Sequence, residues 1–211
     1  MKRLFGQLIA TIIIFGTVAA MATEEAKYKL VEKSGAFEIR DYDRQLLVET
    51  VVDSSLETAG NQAFSKLFRY ISGANLSSNK ISMTAPVSQE ARSNKIPMTA
   101  PVSQQSAKGG WAVSFMMPAN YTLETLPMPT DPTLMIREIP ARRVAVVRYS
   151  GTWSQERYLA NKDRLAKWIQ SKGLTVTGEP IWARYNPPFT PWFLRRNEVL
   201  IPIAKSLKRI P

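Results

Sequence analysis

Predicted strands and helices occur twice in the same order along the chain, and this order restricts the fold more than any other feature. Each half shows apolar stretches typical of strands, then one amphipathic helix, then further strands. The predicted strands cover residues 28–31, 37–42, 46–52, 112–117, 134–139, 144–149, 181–185 and 199–203. The halves, about 27–120 and 133–204, are joined by a proline-rich stretch at 121–132 that is too short to separate independent domains. We therefore expect one antiparallel α+β domain whose sheets close around a shared core.

Both predicted helices have recognisable first and last residues. The first begins at the capping-box sequence SSLE, residues 54–57, with Ser54 as the expected cap and the glutamate reaching back to it. Its apolar residues then recur every four positions until Gly73 ends the run. The second helix is expected to begin at TWSQ, residues 152–155, and to end at Gly173.

The first 22 residues have the pattern of a cleaved signal peptide. Two basic residues precede an almost unbroken apolar run at 8–18, and the AMA sequence at 20–22 is a small-x-small cleavage site. We therefore predict a signal peptide over 1–22 and a single exported domain over 23–211, periplasmic or secreted. The alternative is an uncleaved leader that anchors the domain to a membrane.

The chain contains no cysteine and no histidine. Without cysteine there are no disulfides, thiolate nucleophiles or iron–sulfur clusters, so an exported fold must rest on its core alone. Without histidine there is no Ser-His-Asp triad, no histidine-ligated zinc and no histidine-ligated haem.

The chain is strongly basic, with 28 Lys and Arg against 17 Asp and Glu and a net charge of +11. Because the basic residues are scattered and the domain is expected to be exported, we do not expect nucleic acid as a partner. Their simplest interpretation is a solvated surface. An anionic membrane surface and the carboxylates of a ligand remain open as partners.

A short tandem duplication is the strongest local signal. NKISMTAPVSQ at 79–89 repeats as NKIPMTAPVSQ at 94–104, with ten of eleven positions identical. A catalytic interpretation would make Thr84 or Thr99 a nucleophile, but neither threonine has a base nearby in the sequence. We interpret the copies as two similar extended segments, which their prolines should place at sheet edges or in bulges.

The duplicated segments resemble the KIAMTAPV-type signature of the SOUL haem-binding protein family. Further matches are the opening at 28–42, FMMP at 115–118, YTLETLP at 121–127, IREIP at 136–140, RYSG at 148–151, PPF at 187–189, WF at 192–193 and RNE at 196–198. The resemblance covers 28–203 and suggests a bacterial, exported member. It implies a distorted antiparallel β-barrel built from two pseudo-symmetric βαββ-like halves with one helix each, related to bacterial effector-binding domains.

The resemblance also implies non-catalytic binding of haem or a related tetrapyrrole in an apolar groove along the first helix. Without histidine, haem would be held by apolar contacts and by basic side chains paired with its propionates, and tyrosine and methionine remain as iron ligands. The predicted contacts are Phe64, Lys66, Leu67, Phe68, Arg69 and Ile71, the two basic residues being the propionate partners. The alternative is that the apolar four form the core face of the helix and the basic pair its solvated face.

Two other functions stay open on the sequence alone. One is an enzyme that acts on a tetrapyrrole, for example by removing iron from haem, with acid–base groups from Asp, Glu, Tyr or Lys. The other is a general effector- or lipid-binding module whose affinity for haem is incidental. No catalytic residue and no metal ligand is selected by the spacing of these residue types.

Overall fold

Two helices pack against a large antiparallel sheet in the computed structural model, which describes residues 24–76 and 95–205. The helices are α1 (Leu56–Ile71) and α2 (Gln155–Ser171), and a 3-10 turn spans Trp192–Leu194. The strands are β1 (Glu24–Glu25), β2 (Tyr28–Ser34), β3 (Phe37–Tyr42), β4 (Gln45–Val52), β5 (Asn75–Leu76), β6 (Thr99–Ala100), β7 (Val102–Ala107), β8 (Gly110–Met116), β9 (Met128–Pro129), β10 (Met135–Ile139), β11 (Arg142–Tyr149), β12 (Ile181–Arg184) and β13 (Asn197–Ile203). The predicted α+β class is confirmed.

Nine strands form the main sheet, in the order β10–β4–β8–β7–β12–β13–β11–β3–β2. The short strands pair separately, β1 in parallel with β6 and β5 antiparallel with β9. Within the described residues β2 and β10 are the two ends of the sheet and do not pair with each other. The closed barrel therefore stays a prediction from the resemblance.

Helix α1 lies against β4 and β8 and carries one continuous buried face. Ala63, Leu67 and Ile71 lie on that face and pack into a core cluster that includes Val113 and Phe115. Because Leu67 is completely buried, its side chain contributes about 1.5–3 kcal/mol of transfer free energy to this contact.

The cap of α1 lies one residue later than the sequence predicts. The hydroxyl of Ser55, not of Ser54, accepts a hydrogen bond from the backbone N–H of Thr58, at 3.3 Å. The expected capping box is not formed, and the Glu57 carboxylate instead accepts from the backbone N–H of Gln155 at 2.9 Å. Glu57 thereby links the first turn of α1 to the first turn of α2.

Helix α2 packs against β11 and β13 through a second buried cluster. Its cap is Ser154 rather than Thr152, with the Ser154 hydroxyl accepting from the backbone N–H of Arg157 at 3.4 Å. Leu165 and Ile169 are buried one turn apart and hold the helix on the sheet. Each helix therefore has its own core on the sheet.

Strand β7 lies in the middle of the sheet, between β8 and β12, although the sequence analysis did not predict it. Its sequence VSQQSA has no apolar alternation, so its hydrophobic pattern is that of a loop. The signal that could have located it is the glycine pair that follows. Gly109 and Gly110 have φ values of 87° and 129° and form the turn into β8, where side chains are strongly disfavoured.

Only the second copy of the duplication lies within the described residues, from position 95 onward. Pro101 separates β6 from β7. Among the strands in the described ranges β6 pairs with β1 alone, as expected for an edge, whereas β7 has partners on both sides. The first copy at 79–89 and the predicted signal peptide over 1–22 lie outside the described residues.

Candidate ligand-binding groove

A groove of about 450 Å³ opens where α1 meets the residues that precede β7 and those that follow β12. We call this space the groove. Its wall is mostly apolar. The larger apolar side chains that line it include Phe64, Met98, Val102, Trp153, Pro187 and Phe189. These residues come from both halves of the chain, so the groove exists only because the fold brings the halves together.

Phe64 is the aromatic side chain that α1 contributes to the groove. Its ring stacks on that of Phe68, with 5.7 Å between centroids and 12° between planes. It also meets the edge of the buried Phe115 ring at 5.5 Å. Aromatic pairs at such separations stabilise each other beyond simple burial. Phe64 is therefore held from the core side while 37% of it remains exposed.

The four apolar residues predicted as ligand contacts occupy two different surroundings. Phe64 lines the groove, and Phe68 lies next to it at the surface, 45% exposed. Leu67 and Ile71 pack in the core, where Leu67 is completely buried and Ile71 nearly so, and neither lines the groove. The structure thus divides this set between a surface pair and a core pair.

The two basic residues predicted to bind propionates lie neither in the groove nor in the core, but at the surface beside Asp131. The Lys66 ammonium donates to the Thr133 hydroxyl at 3.3 Å, and the Arg69 guanidinium is 3.9 Å from the Asp131 carboxylate. Both line a separate shallow cavity of about 150 Å³ beside Asp131. The structure does not bring them together with the aromatic wall of the groove.

Arg184 is the basic side chain that does line the groove. It is only 7% exposed, and its guanidinium carbon lies 4.1 Å from the Trp182 ring centroid and 5.0 Å from that of Trp153. One terminal nitrogen donates to the Leu56 carbonyl at 3.4 Å and to the Gln104 side-chain oxygen at 3.3 Å. Burial lowers the pKa of Arg184 to about 10, so it carries a positive charge at neutral pH.

Sequence reasoning missed Arg184 as a site residue. The signal was a charged residue inside the predicted strand 181–185, whose other members are apolar or aromatic. Such a residue is buried with a partner, buried against a ligand or placed at the strand end in water. Nothing in the local sequence distinguishes these outcomes.

A second buried arginine, Arg40 in β3, has the opposite surroundings. Its guanidinium donates two hydrogen bonds to the Glu198 carboxylate, at 2.8 and 3.0 Å. Glu198 is fully buried and also accepts from the Tyr185 hydroxyl at 2.7 Å and from Arg196 at 3.1 Å. Burial alone would raise the pKa of Glu198, but its hydrogen bonds to Arg40 and the charge of Arg40 lower that pKa below its ordinary value.

Two absences apply to residues 24–76 and 95–205. No group of three or more acidic side chains is arranged to hold a metal ion there. No helix in the same part of the chain has the length and hydropathy that crossing a bilayer requires.

The model of the SOUL heme-binding protein family matches residues 23–202. The chain belongs to this family. Heme-binding protein 1 of Xenopus laevis is 26% identical over 170 residues, which is 80% of this chain and 84% of the relative. Human heme-binding protein 2 is 28% identical over 194 residues, covering 85% of this chain and 90% of the relative. The resemblance found in the sequence motifs is thereby confirmed.

Solved structures with low sequence identity share the fold of this SOUL family member. The C-terminal domain of EcmrR superposes with a TM-score of 0.53 at 13% identity, over 84% of this chain and 98% of that one. A hydrolase from Listeria innocua superposes with a TM-score of 0.50 at 11% identity, over 82% and 94%. At these identities the likeness concerns the fold alone.

Proposed function

We propose that this protein binds haem or a related tetrapyrrole in the groove, without histidine ligation and without catalysing a reaction on it. The observation that carries the proposal is an aromatic, half-open groove of about 450 Å³ in a SOUL family member. That volume lies within the range of small-molecule sites, about 300–1,000 Å³. The relatives named heme-binding protein 1 and 2 support the choice of ligand class.

Apolar contact with a flat ring is the main binding interaction in this proposal. Phe64, Trp153 and Phe189 border the groove, and Met98 adds a flexible thioether. Phe189 is 86% exposed, so covering it with a ligand removes much apolar surface from water. The same surface would suit a porphyrin with or without iron.

Iron ligation contributes little in this proposal. No histidine exists in the chain. Tyr185 borders the groove, but its hydroxyl donates to Glu198 at 2.7 Å, and burial raises its pKa well above the ordinary value. A tyrosinate there is therefore unfavourable at neutral pH. Met98, a weak ligand, is the sulfur that borders the groove among the described residues.

We also propose that the domain consists of two pseudo-symmetric halves, and the strand order supports this. Exchanging β3 with β10, β4 with β11, β8 with β13 and β7 with β12 reverses the order β10–β4–β8–β7–β12–β13–β11–β3 into itself. The same exchange relates α1 to α2. This order is what a pseudo-twofold axis between β7 and β12, next to the groove, would produce. Closure of the sheet into a distorted barrel belongs to the same proposal.

Export of the domain is part of the proposal and rests on the leader sequence over 1–22. A periplasmic or secreted binder would meet tetrapyrroles outside the cytoplasm. Mass spectrometry of the protein recovered after expression in its own host tests this point. A mature chain that begins at Thr23 supports export with cleavage, and an intact leader in the membrane fraction supports the anchored alternative.

Titration of the purified protein with haem and with iron-free protoporphyrin IX, followed by absorbance, tests the binding proposal. The two ligands should bind within about tenfold of each other, which is about 1.4 kcal/mol. Phe64→Ala should weaken both ligands equally, and Leu30→Ala, an exposed position on β2, is the matched control.

Three results would contradict the proposal. Absence of saturable binding would show that the groove does not take tetrapyrroles. A hundredfold preference for haem, removed by one Tyr→Phe change, would establish tyrosinate ligation. Appearance of iron-free porphyrin during incubation with haem would favour the enzyme that removes iron.

A further inference from the structure

We infer that Arg184 binds a carboxylate of the ligand in the groove, the chemistry of a haem propionate, and that Lys66 and Arg69 do not. This inference rests on the proposed function, because it names the anchor within that same groove. It assigns the polar contact to a residue that the sequence motifs did not single out.

The first argument is that Arg184 is buried without an opposite charge. It forms no ion pair with any acidic side chain in the described part of the chain. Glu57 is near enough to affect Arg184 electrostatically, but its carboxylate is bound to the backbone N–H of Gln155. A buried charge without a partner is costly, and an anionic ligand would remove that cost.

The second argument is the way the guanidinium is held. It lies over the rings of Trp182 and Trp153, while Arg195 lies over the Trp153 ring at 4.3 Å. Arg195 donates to the carbonyls of Thr190 and Pro188 and, within the described residues, is also in no ion pair. Two positive groups therefore share one tryptophan at the groove wall, with uncharged acceptors around them.

The third argument is the space left by a glycine on α1. A Cβ atom at Gly60 would lie 2.8 Å from Nη1 of Arg184, closer than side chains pack. Gly60 is the fifth residue of the helix, inside its hydrogen-bonded part, where glycine is less favourable than alanine. Nη2 of Arg184 donates hydrogen bonds to the Leu56 carbonyl and the Gln104 side-chain oxygen. Nη1 of Arg184 forms no hydrogen bond to any residue in the described ranges. Nε also forms no hydrogen bond, but it is fully buried. Nη1 is therefore the atom available to a ligand oxygen, and both Gly60 and Arg184 line the groove.

The chemistry of the anchor is that of a charge-assisted hydrogen bond. A carboxylate oxygen accepts from Nη1 of Arg184, and no covalent step is involved. Lys66 and Arg69 serve a different place, since Arg69 already has Asp131 as a partner. Of these three basic side chains, only Arg184 borders the aromatic wall.

The test compares protoporphyrin IX with its dimethyl ester, in which both carboxylates are neutral. Titrations in one detergent-containing buffer, followed by absorbance, should show that the wild-type protein binds the diacid about tenfold more tightly, about 1.4 kcal/mol. Arg184→Met should weaken the diacid about tenfold. It should leave the ester unchanged, so that the preference disappears.

Two further variants keep the test decisive. The double variant Lys66→Met with Arg69→Met is the matched control and should keep the full preference. Gly60→Ala retains the charge but displaces the guanidinium, and alanine favours the helix. It should lower the preference at least threefold, so it tests the inference even where Arg184→Met does not fold.

The outcomes separate the inference from the function beneath it. Wild-type protein that binds neither probe overturns the proposed function. Wild-type protein that binds both probes, with a preference unchanged in Arg184→Met and in Gly60→Ala, overturns the role of Arg184 and leaves the function standing. Loss of the preference in the Lys66 and Arg69 double variant would instead support the assignment made from the sequence.

Discussion

Two buried arginines in this protein, Arg40 and Arg184, have different surroundings and different expected roles. Arg40 is 1% exposed and is bound by the Glu198 carboxylate, whereas Arg184 is 7% exposed and is bound by two uncharged oxygens and two tryptophan rings. The first is a complete network that joins β3 to β13. The second leaves a positive charge at the wall of a groove. Pairing, rather than burial, distinguishes the structural arginine from the candidate ligand anchor.

The largest effect is expected where the paired arginine loses its partner. Glu198→Gln should lower the free energy of unfolding by about 3–5 kcal/mol, because Arg40 and Arg196 both lose the fully buried carboxylate that they bind. Arg40 then keeps the partly buried Glu38 carboxylate, at 2.7 Å, as an opposite charge. Urea denaturation measures this change. A loss below about 1 kcal/mol would mean that Arg40 does not depend on Glu198.

Substitutions on the two faces of α1 should have different effects, one mainly on stability and the other mainly on ligand binding. Leu67→Ala should cost about 2–5 kcal/mol, since Leu67 is fully buried in the core. Phe64→Ala should cost less, because Phe64 is partly exposed, and should weaken porphyrin binding. Urea melts and absorbance titrations on both variants measure the two effects. If Leu67→Ala lowers the free energy of unfolding by less than about 0.5 kcal/mol, Leu67 does not lie on the buried face of α1.

A smaller difference is expected in acid. The pKa of Glu198 is lowered in the folded state from its ordinary value of 4.5, so its contribution to stability is present above that pH. It is lost as the pH falls through the folded-state pKa. Stability measured from pH 6 downward should therefore fall less steeply in Glu198→Gln than in the wild type. Identical slopes would contradict the lowered pKa.

The smallest effect on stability is expected at the unpaired arginine. Arg184→Met should change the free energy of unfolding by less than about 1 kcal/mol, or increase it, because no buried carboxylate is left behind. The measurement is urea denaturation without ligand. A loss as large as that of Glu198→Gln would make Arg184 a structural residue like Arg40.

Much of the fold follows from local sequence. Both helices lie where periodicity and capping residues predict them, with caps displaced by one and two residues. In α1 the glutamate of the predicted capping box, Glu57, accepts from the first residue of α2 and not from its own helix, which is a tertiary contact. Strand β7 was missed because its polar sequence has no apolar alternation, and it is held in the sheet by pairing with a strand on each side, which no local pattern records.

The residues of the candidate site are harder to predict from the sequence than the fold is. Phe64 was expected beside a ligand and does line the groove, but the same helical spacing also selected Leu67 and Ile71, which are core residues. Apolar residues at four-residue spacing share a face without revealing what covers it. Lys66 and Arg69 were chosen for charge, and the structure places them beside Asp131.

The sequence by itself determined that no histidine or cysteine chemistry exists in this protein, that two helices alternate with strands, and that the motifs are those of the SOUL family. These properties depend on composition and on residues close together in the chain. Only the tertiary structure decided which arginine has a partner. Arg184 meets the carbonyl of Leu56 across 128 positions, and Arg40 meets Glu198 across 158. Charge pairing between such distant residues is set by strand order, which local periodicity does not encode.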